Sequence, residues 1–129
     1  MLLKEMLLKS NNAVEGNFLD LEKFAFNGVY IICNKDDEIV YIGSAYARDI
    51  SIRLNQYLSK SDTGNTLGKT IATKLANQTK YNNEAKKRIG EAVDMIRQFK
   101  IYAIPHEDLE YQLIELANPK YNNKGKPES

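Results

Sequence analysis

The chain has 129 residues, 43% of them hydrophobic, and a net charge of +1, which suits one compact domain around a single core. A lone cysteine cannot form an internal disulfide, and a lone histidine, His106, leaves no material for a zinc cluster or a histidine-centred triad. Leucines open the chain, but Lys4, Glu5 and Lys9 interrupt them, so residues 1–9 form neither a secretory signal core nor a membrane span, and a cytoplasmic location is expected.

In chain order, the pattern predicts a helical stretch around Leu2 to Lys9, a loop, and a short helix around Leu19 to Phe24. Strands follow at 28–34 and 38–42. They are apolar on both faces, with Val29, Ile31 and Cys33 on one side and Tyr30 and Ile32 on the other, so helices must cover both. Cys33 reads as a buried, inert thiol. Ile50, Leu54, Tyr57 and Leu58 recur at helical spacing after Asp49, a plausible cap. Ser59 to Gly64 reads as a loop. Leu67, Ile71 and Leu75 mark a helix opened by Asn65 or Thr66, and Asn82-Asn83 precedes a longer one through Ile89, Val93, Ile96 and Phe99. Residues 64–70 look superficially like a phosphate loop, but the glycine spacing is wrong and no strand precedes them. Lys100 to Ile104 predicts a third strand, ended by Pro105. A last helix carries Leu109, Leu113 and Leu116 up to Pro119, with His106 near its start and a mobile tail from Gly125.

The hairpin between the first two strands is the informative part. With residues 34–37 as its loop, Tyr30 and Tyr41 fall directly opposite each other and share one face of the sheet. Charge is also unevenly spread. Residues 1–40 carry four basic and seven acidic side chains, residues 41–103 eleven and five, and residues 104–129 three and five. The basic middle contains Lys69, Lys74, Lys80, Lys86, Lys87 and Arg88, which suit a polyanion partner, although charge alone favours a solvated helix face.

In the last helix, Glu110 lies about 40° from Ile114 and about 20° from Ala117, within the apolar arc, whereas Glu115 and Asp108 face solvent. An ionised carboxylate in such an arc calls for a cation, either a divalent metal or an arginine. Arg53 borders the apolar face of its own helix, beside Tyr57 and Ile50, from where a guanidinium can hold phosphate oxygens bidentately.

Gly28-Val29-Tyr30 and Tyr41-Ile42-Gly43, separated by a turn, resemble the signature of the GIY-YIG nuclease family, with valine in place of the first isoleucine. Arg53-Leu54 with Tyr57 resembles that family's arginine helix. Glu110 leading to Pro119-Lys120-Tyr121-Asn122 resembles its glutamate helix and closing Pro-x-Tyr-Asn, and the spacing of 12 to Asn122 matches only Glu110. The segment from Tyr41 to the helix is about two residues longer than the family spacing, which makes Arg48 a rival to Arg53.

The resemblance implies an α+β fold, a small three-stranded, mainly antiparallel sheet flanked by helices, with an enlarged helical insert at about 59–100. The domain would span 28–122, preceded by an N-terminal helical extension at 1–27 and followed by a flexible tail at 123–129. It implies a metal-dependent endonuclease acting on DNA, with Mg2+ on Glu110 and Mn2+ able to substitute. Tyr30 would be the general base and Tyr41 would orient water or phosphate, with these roles exchangeable. A free phenol ionises near pH 10, so a base of this kind needs a cationic neighbour. Arg53 would stabilise charge on phosphate, Tyr57 would assist, and Asn122 would hold the tail to the site. With no sequence-reading domain attached, a standalone phage or mobile-element nuclease is expected. The alternatives are a structure-specific repair or recombination nuclease and a catalytically silent nucleic-acid-binding module. Assembly into a homo-oligomer is left open.

Overall fold

The computed structural model describes residues 13–61, 64–105, 114 and 118–122. The predicted helix at 2–9, the Glu110 helix apart from Ile114, and the tail from Gly125 therefore lie outside the described residues.

Four strands form one antiparallel sheet: β1 (Val14–Asn17), β2 (Gly28–Cys33), β3 (Ile39–Ala45) and β4 (Lys100–Ile104), in the order β1-β4-β2-β3. That is one strand more than the three expected. The extra one, β1, is only four residues long and contains Gly16 and Asn17, so it carries almost no strand signal of its own and is fixed by its pairing to β4. A single 3-10 turn at Leu21–Phe24 follows it.

Every residue of β2 is buried, and its two faces enter different clusters. Tyr30 and Ile32 join a large core with Leu54, Tyr57, Leu67, Ile71 and Ile96; Val29, Ile31 and Cys33 join a smaller one with Ile42, Tyr102 and Ile114. Strand β4 alternates in the same way, with Ile101 and Ala103 on the first face and Tyr102 and Ile104 on the second. Gly28 is required where β2 starts. Its φ is 154°, and a Cβ there would run into the carbonyl oxygen of Ile104 on the neighbouring strand.

The hairpin register differs from the one expected. Tyr30 pairs with Gly43, and Tyr41 pairs with Ile32. Asn34 pairs with Glu38 across a three-residue loop, its side chain accepting from the N–H groups of Asp36 and Glu38 at 2.9 and 3.0 Å, while Asp37 adopts φ 62°. This is a type I turn closed by a left-handed residue. A bulge between Ile32 and Cys33 then shifts the pairing once more. Two single-residue shifts cancel in parity, so Tyr30 and Tyr41 keep a common face but stand diagonally rather than opposite.

On the large-core side lie α1 (Ile50–Gln56), α2 (Thr66–Leu75), α3 (Asn83–Lys86) and α4 (Ile89–Ile96). The one long helix expected after Asn82 is thus two, broken at Lys87-Arg88, where Arg88 takes φ −101° and ψ 4°. Helix α2 is capped by Asn65, whose Oδ1 accepts from Gly68 N–H at 2.8 Å. It ends at Asn77 in the left-handed region, with Gln78 N–H donating to the Thr73 carbonyl at 3.0 Å. Among the described residues no helix is long and apolar enough to cross a membrane.

Candidate active site

Strands β2 and β3 and helix α1 bring three phenols together beneath a cleft of about 380 Å³. The rings of Tyr30 and Tyr41 stack with centroids 6.4 Å apart, Tyr30 and Tyr57 lie 6.2 Å apart, and Tyr41 meets Tyr57 edge-on at 5.8 Å. The hydroxyls of Tyr30 and Tyr57 share a hydrogen bond of 2.5 Å. Gly43 makes this possible. It sits across from Tyr30 in the sheet, and any Cβ on it would collide with the Tyr30 phenol. The glycine of the second tripeptide therefore supplies room for the ring of the first.

Arg53 crosses the cluster with its guanidinium carbon 5.0 Å from the centre of the Tyr57 ring. It donates to Gln56 Oε1 at 2.6 Å, to the Gly64 carbonyl at 3.3 Å and to Thr66 Oγ1 at 3.2 Å, so it ties α1 to the start of α2 while lining the cleft. Arg48, its rival from the sequence, is exposed and lines a neighbouring depression but not the cleft itself.

Burial sets the proton chemistry. Tyr30 is 1% exposed and Tyr57 is fully buried. Desolvation, reinforced by the neighbouring phenols, pushes both well above the ordinary tyrosine value, although the Arg53 charge pulls the other way. Both stay protonated near neutral pH. Arg53 is held more firmly protonated than usual: burial opposes its charge, but Tyr57 and Tyr30 outweigh that. Tyr41 is half-buried and lines the cleft.

Asn122 is 3% exposed and closes the site from the chain's far end. Its carboxamide accepts from the Ile42 N–H and donates to the Ile42 carbonyl, both at 2.8 Å, and Tyr121 N–H donates to the Val40 carbonyl at 2.8 Å. Strand β3 is an edge of the sheet. The two residues pair with it as a further strand would, and so fix the Tyr41-Ile42-Gly43 backbone.

The six basic residues of the insert separate into two groups. Lys69 lines the cleft and also lies over the Tyr81 ring at 5.7 Å, and Lys74 and Lys80 line an adjoining depression. Lys86 is exposed on α3, Lys87 pairs with Glu84 at 3.2 Å, and Arg88 pairs with Glu91 at 2.9 Å. The last two charges are thus partly answered within the chain.

Ser44, Thr66 and Thr70 also line the cleft, and sequence reasoning missed all three. A signal was present. Thr66, Lys69 and Thr70 recur at helical spacing on the side of α2 away from Leu67 and Ile71. Reading residues 64–70 only as loop and cap concealed that polar stripe.

Glu110 lies outside the described residues. Among those described, no three His, Cys, Asp or Glu residues gather to hold a metal, and no residue lining the cleft is acidic. Hydroxyl, amide and cationic donors of this kind suit phosphate oxygens.

A family model, the GIY-YIG catalytic domain, matches residues 26–122. The chain belongs to that family and is a nuclease of the GIY-YIG superfamily, whose domain implies DNA as substrate. No curated protein and no solved structure matches the chain.

Proposed function

We propose that this protein is a metal-dependent DNA endonuclease, cytoplasmic and of the phage or mobile-element kind, that hydrolyses phosphodiester bonds in the cleft over the three phenols. The carrying observation is the convergence of Tyr30, Tyr41 and Arg53 on one cleft with no acidic residue in its described lining. Basic side chains of the insert stand beside it and provide contacts to DNA within the domain itself. Glu110 would hold a divalent ion, Mg2+ or Mn2+ in its place, which when bound supplies Lewis-acid polarisation of a phosphate oxygen.

Burial favours the exchanged assignment of the tyrosines. Tyr30, protonated and hydrogen-bonded to Tyr57, donates toward phosphate, while half-buried Tyr41, acting as its phenolate, meets the attacking water and takes its proton to become a neutral phenol. Arg53 brings its fixed positive charge to the charge that builds on the phosphoryl oxygens. Asn122 holds Tyr41 in place through its clamp on Ile42.

The test is cleavage of plasmid, branched and single-stranded DNA by wild type, Glu110→Ala, Arg53→Ala and Arg48→Ala, with Mg2+ or EDTA. Metal-dependent cutting is expected to vanish in Glu110→Ala and to fall about 10²–10³-fold in Arg53→Ala, with Arg48→Ala much less affected. Tight binding of every substrate without cutting would instead mean a silent binding module. Tyr41→Phe is expected to lower kcat about 10²–10⁴-fold, by more than Tyr30→Phe does.

A further inference from the structure

Two further depressions open on either side of the catalytic cleft. The first, about 410 Å³, shares Ser44 and Arg53 with it and adds Tyr46, Arg48 and Gln56. The second, about 230 Å³, shares Lys69 and Thr70 with it and adds Lys74, Lys80 and Tyr81. The outer two share no residue with each other, so each adjoins the cleft at a different place and the three form a connected series with the phenol cleft as its middle member. Five cations line this series, Arg48, Arg53, Lys69, Lys74 and Lys80, and none of the described residues lining it is acidic. Each outer end carries an aromatic ring as well. Tyr46 is 44% exposed, and Tyr81 lies beneath Lys69.

Cations at short intervals with an aromatic ring at each end are what a nucleic acid backbone and its bases require of a protein surface. We propose that one DNA strand lies along this series, with the Tyr46–Arg48 depression holding the nucleotides on one side of the cleaved phosphate and the Lys74–Lys80 depression holding those on the other. Tyr46 stacks on a base at the first end, and Arg48, Lys74 and Lys80 each neutralise a phosphate. Lys86, Lys87 and Arg88 lie off the path. This assignment takes its centre from the nuclease reading, but it predicts binding and can therefore be tested separately.

The experiment measures binding of a fluorescent duplex of about 20 base pairs by anisotropy in EDTA, as a function of salt, for otherwise full-length protein. Lys74→Ala/Lys80→Ala is expected to make the slope of log K against log salt shallower by about 1.8, and Arg48→Ala by about 0.9. Tyr46→Ala should weaken binding of a single-stranded 20-mer about tenfold with the slope unchanged. Lys23→Ala/Lys100→Ala, which removes two charges that line none of the three depressions, serves as the control and should leave both unchanged. Unchanged slopes in the Lys74/Lys80 and Arg48 variants of an enzyme that cuts in Mg2+ would overturn the path and leave the nuclease reading standing. Altered slopes in a protein that cuts nothing would uphold the path and sink the nuclease reading. No measurable binding by wild type would overturn the path outright.

Discussion

A phenol at Tyr30 is held by three neighbours at once: the Tyr57 hydroxyl, the Arg53 charge, and the missing side chain of Gly43. The first two bear on pH. Tyr30 and Tyr57 have folded values above the unfolded value of 10.0. Above that pH the unfolded chain has lost protons that the folded chain still holds. Their contribution to stability is therefore complete below pH 10 and declines as the pH rises past it, by about 1.4 kcal/mol per pH unit for each phenol. Urea denaturation from neutral to alkaline pH should show this decline, and Tyr30→Phe should reduce its slope by about half. The third neighbour is steric. Gly43→Ala should destabilise the fold by about 1–3 kcal/mol, since its Cβ would push the Tyr30 ring away from its place against Tyr57. Chemical denaturation reads this directly. A stability equal to wild type would mean that the ring and strand separate more easily than the packing implies.

Among the elements, two buried asparagines do the joining. Asn65 is fully buried, and its side chain donates to the carbonyls of Tyr57 and Ser59 at 3.0 and 2.8 Å while accepting from Gly68 at 2.8 Å. It thereby fastens the first turn of α2 to the end of α1, which sets the insert beside Arg53. Gly68 leaves the space, since a Cβ there would lie 2.5 Å from the Asn65 amide nitrogen. Asn65→Ala strands two carbonyls and an N–H and should cost about 2–4 kcal/mol. Hydrogen exchange should localise the loss to α2 and the loop before it. Asn122 performs the corresponding task at the edge of β3. Asn122→Ala should cost about 2 kcal/mol and lower kcat more than it raises KM, because the strand that carries Tyr41 loses its outer partner.

For the molecule as a whole, a net charge of +1 conceals a basic middle between acidic ends. Five cations on one series of depressions imply a salt slope near −4.5 for duplex DNA, so affinity should fall about 500-fold between 50 and 200 mM salt. Anisotropy titrations check this, and a flat response would mean that the charge asymmetry is only a solvated surface.

Much of this was already written in local sequence. Strands β2, β3 and β4 announce themselves through β-branched runs, and helices α1 and α2 through apolar spacing, because each is long enough for its periodicity to be seen. Strand β1 is too short for that. The residues of the two tripeptides, Arg53, and the Pro119-to-Asn122 ending identified the family from type and spacing alone, since family motifs are linear. What the sequence could not settle was distance across the fold. The hairpin register depended on a left-handed Asp37 and a bulge beside Cys33, each a choice among turn geometries of nearly equal energy. The buried state of Tyr30, the exclusion of Arg48 from the cleft and the arrival of Thr66, Lys69 and Thr70 from the insert all follow from packing between segments far apart in the chain. Chemistry is carried by residue type and so can be read along the chain, but solvation and proximity belong to the closed core and exist only once it has formed.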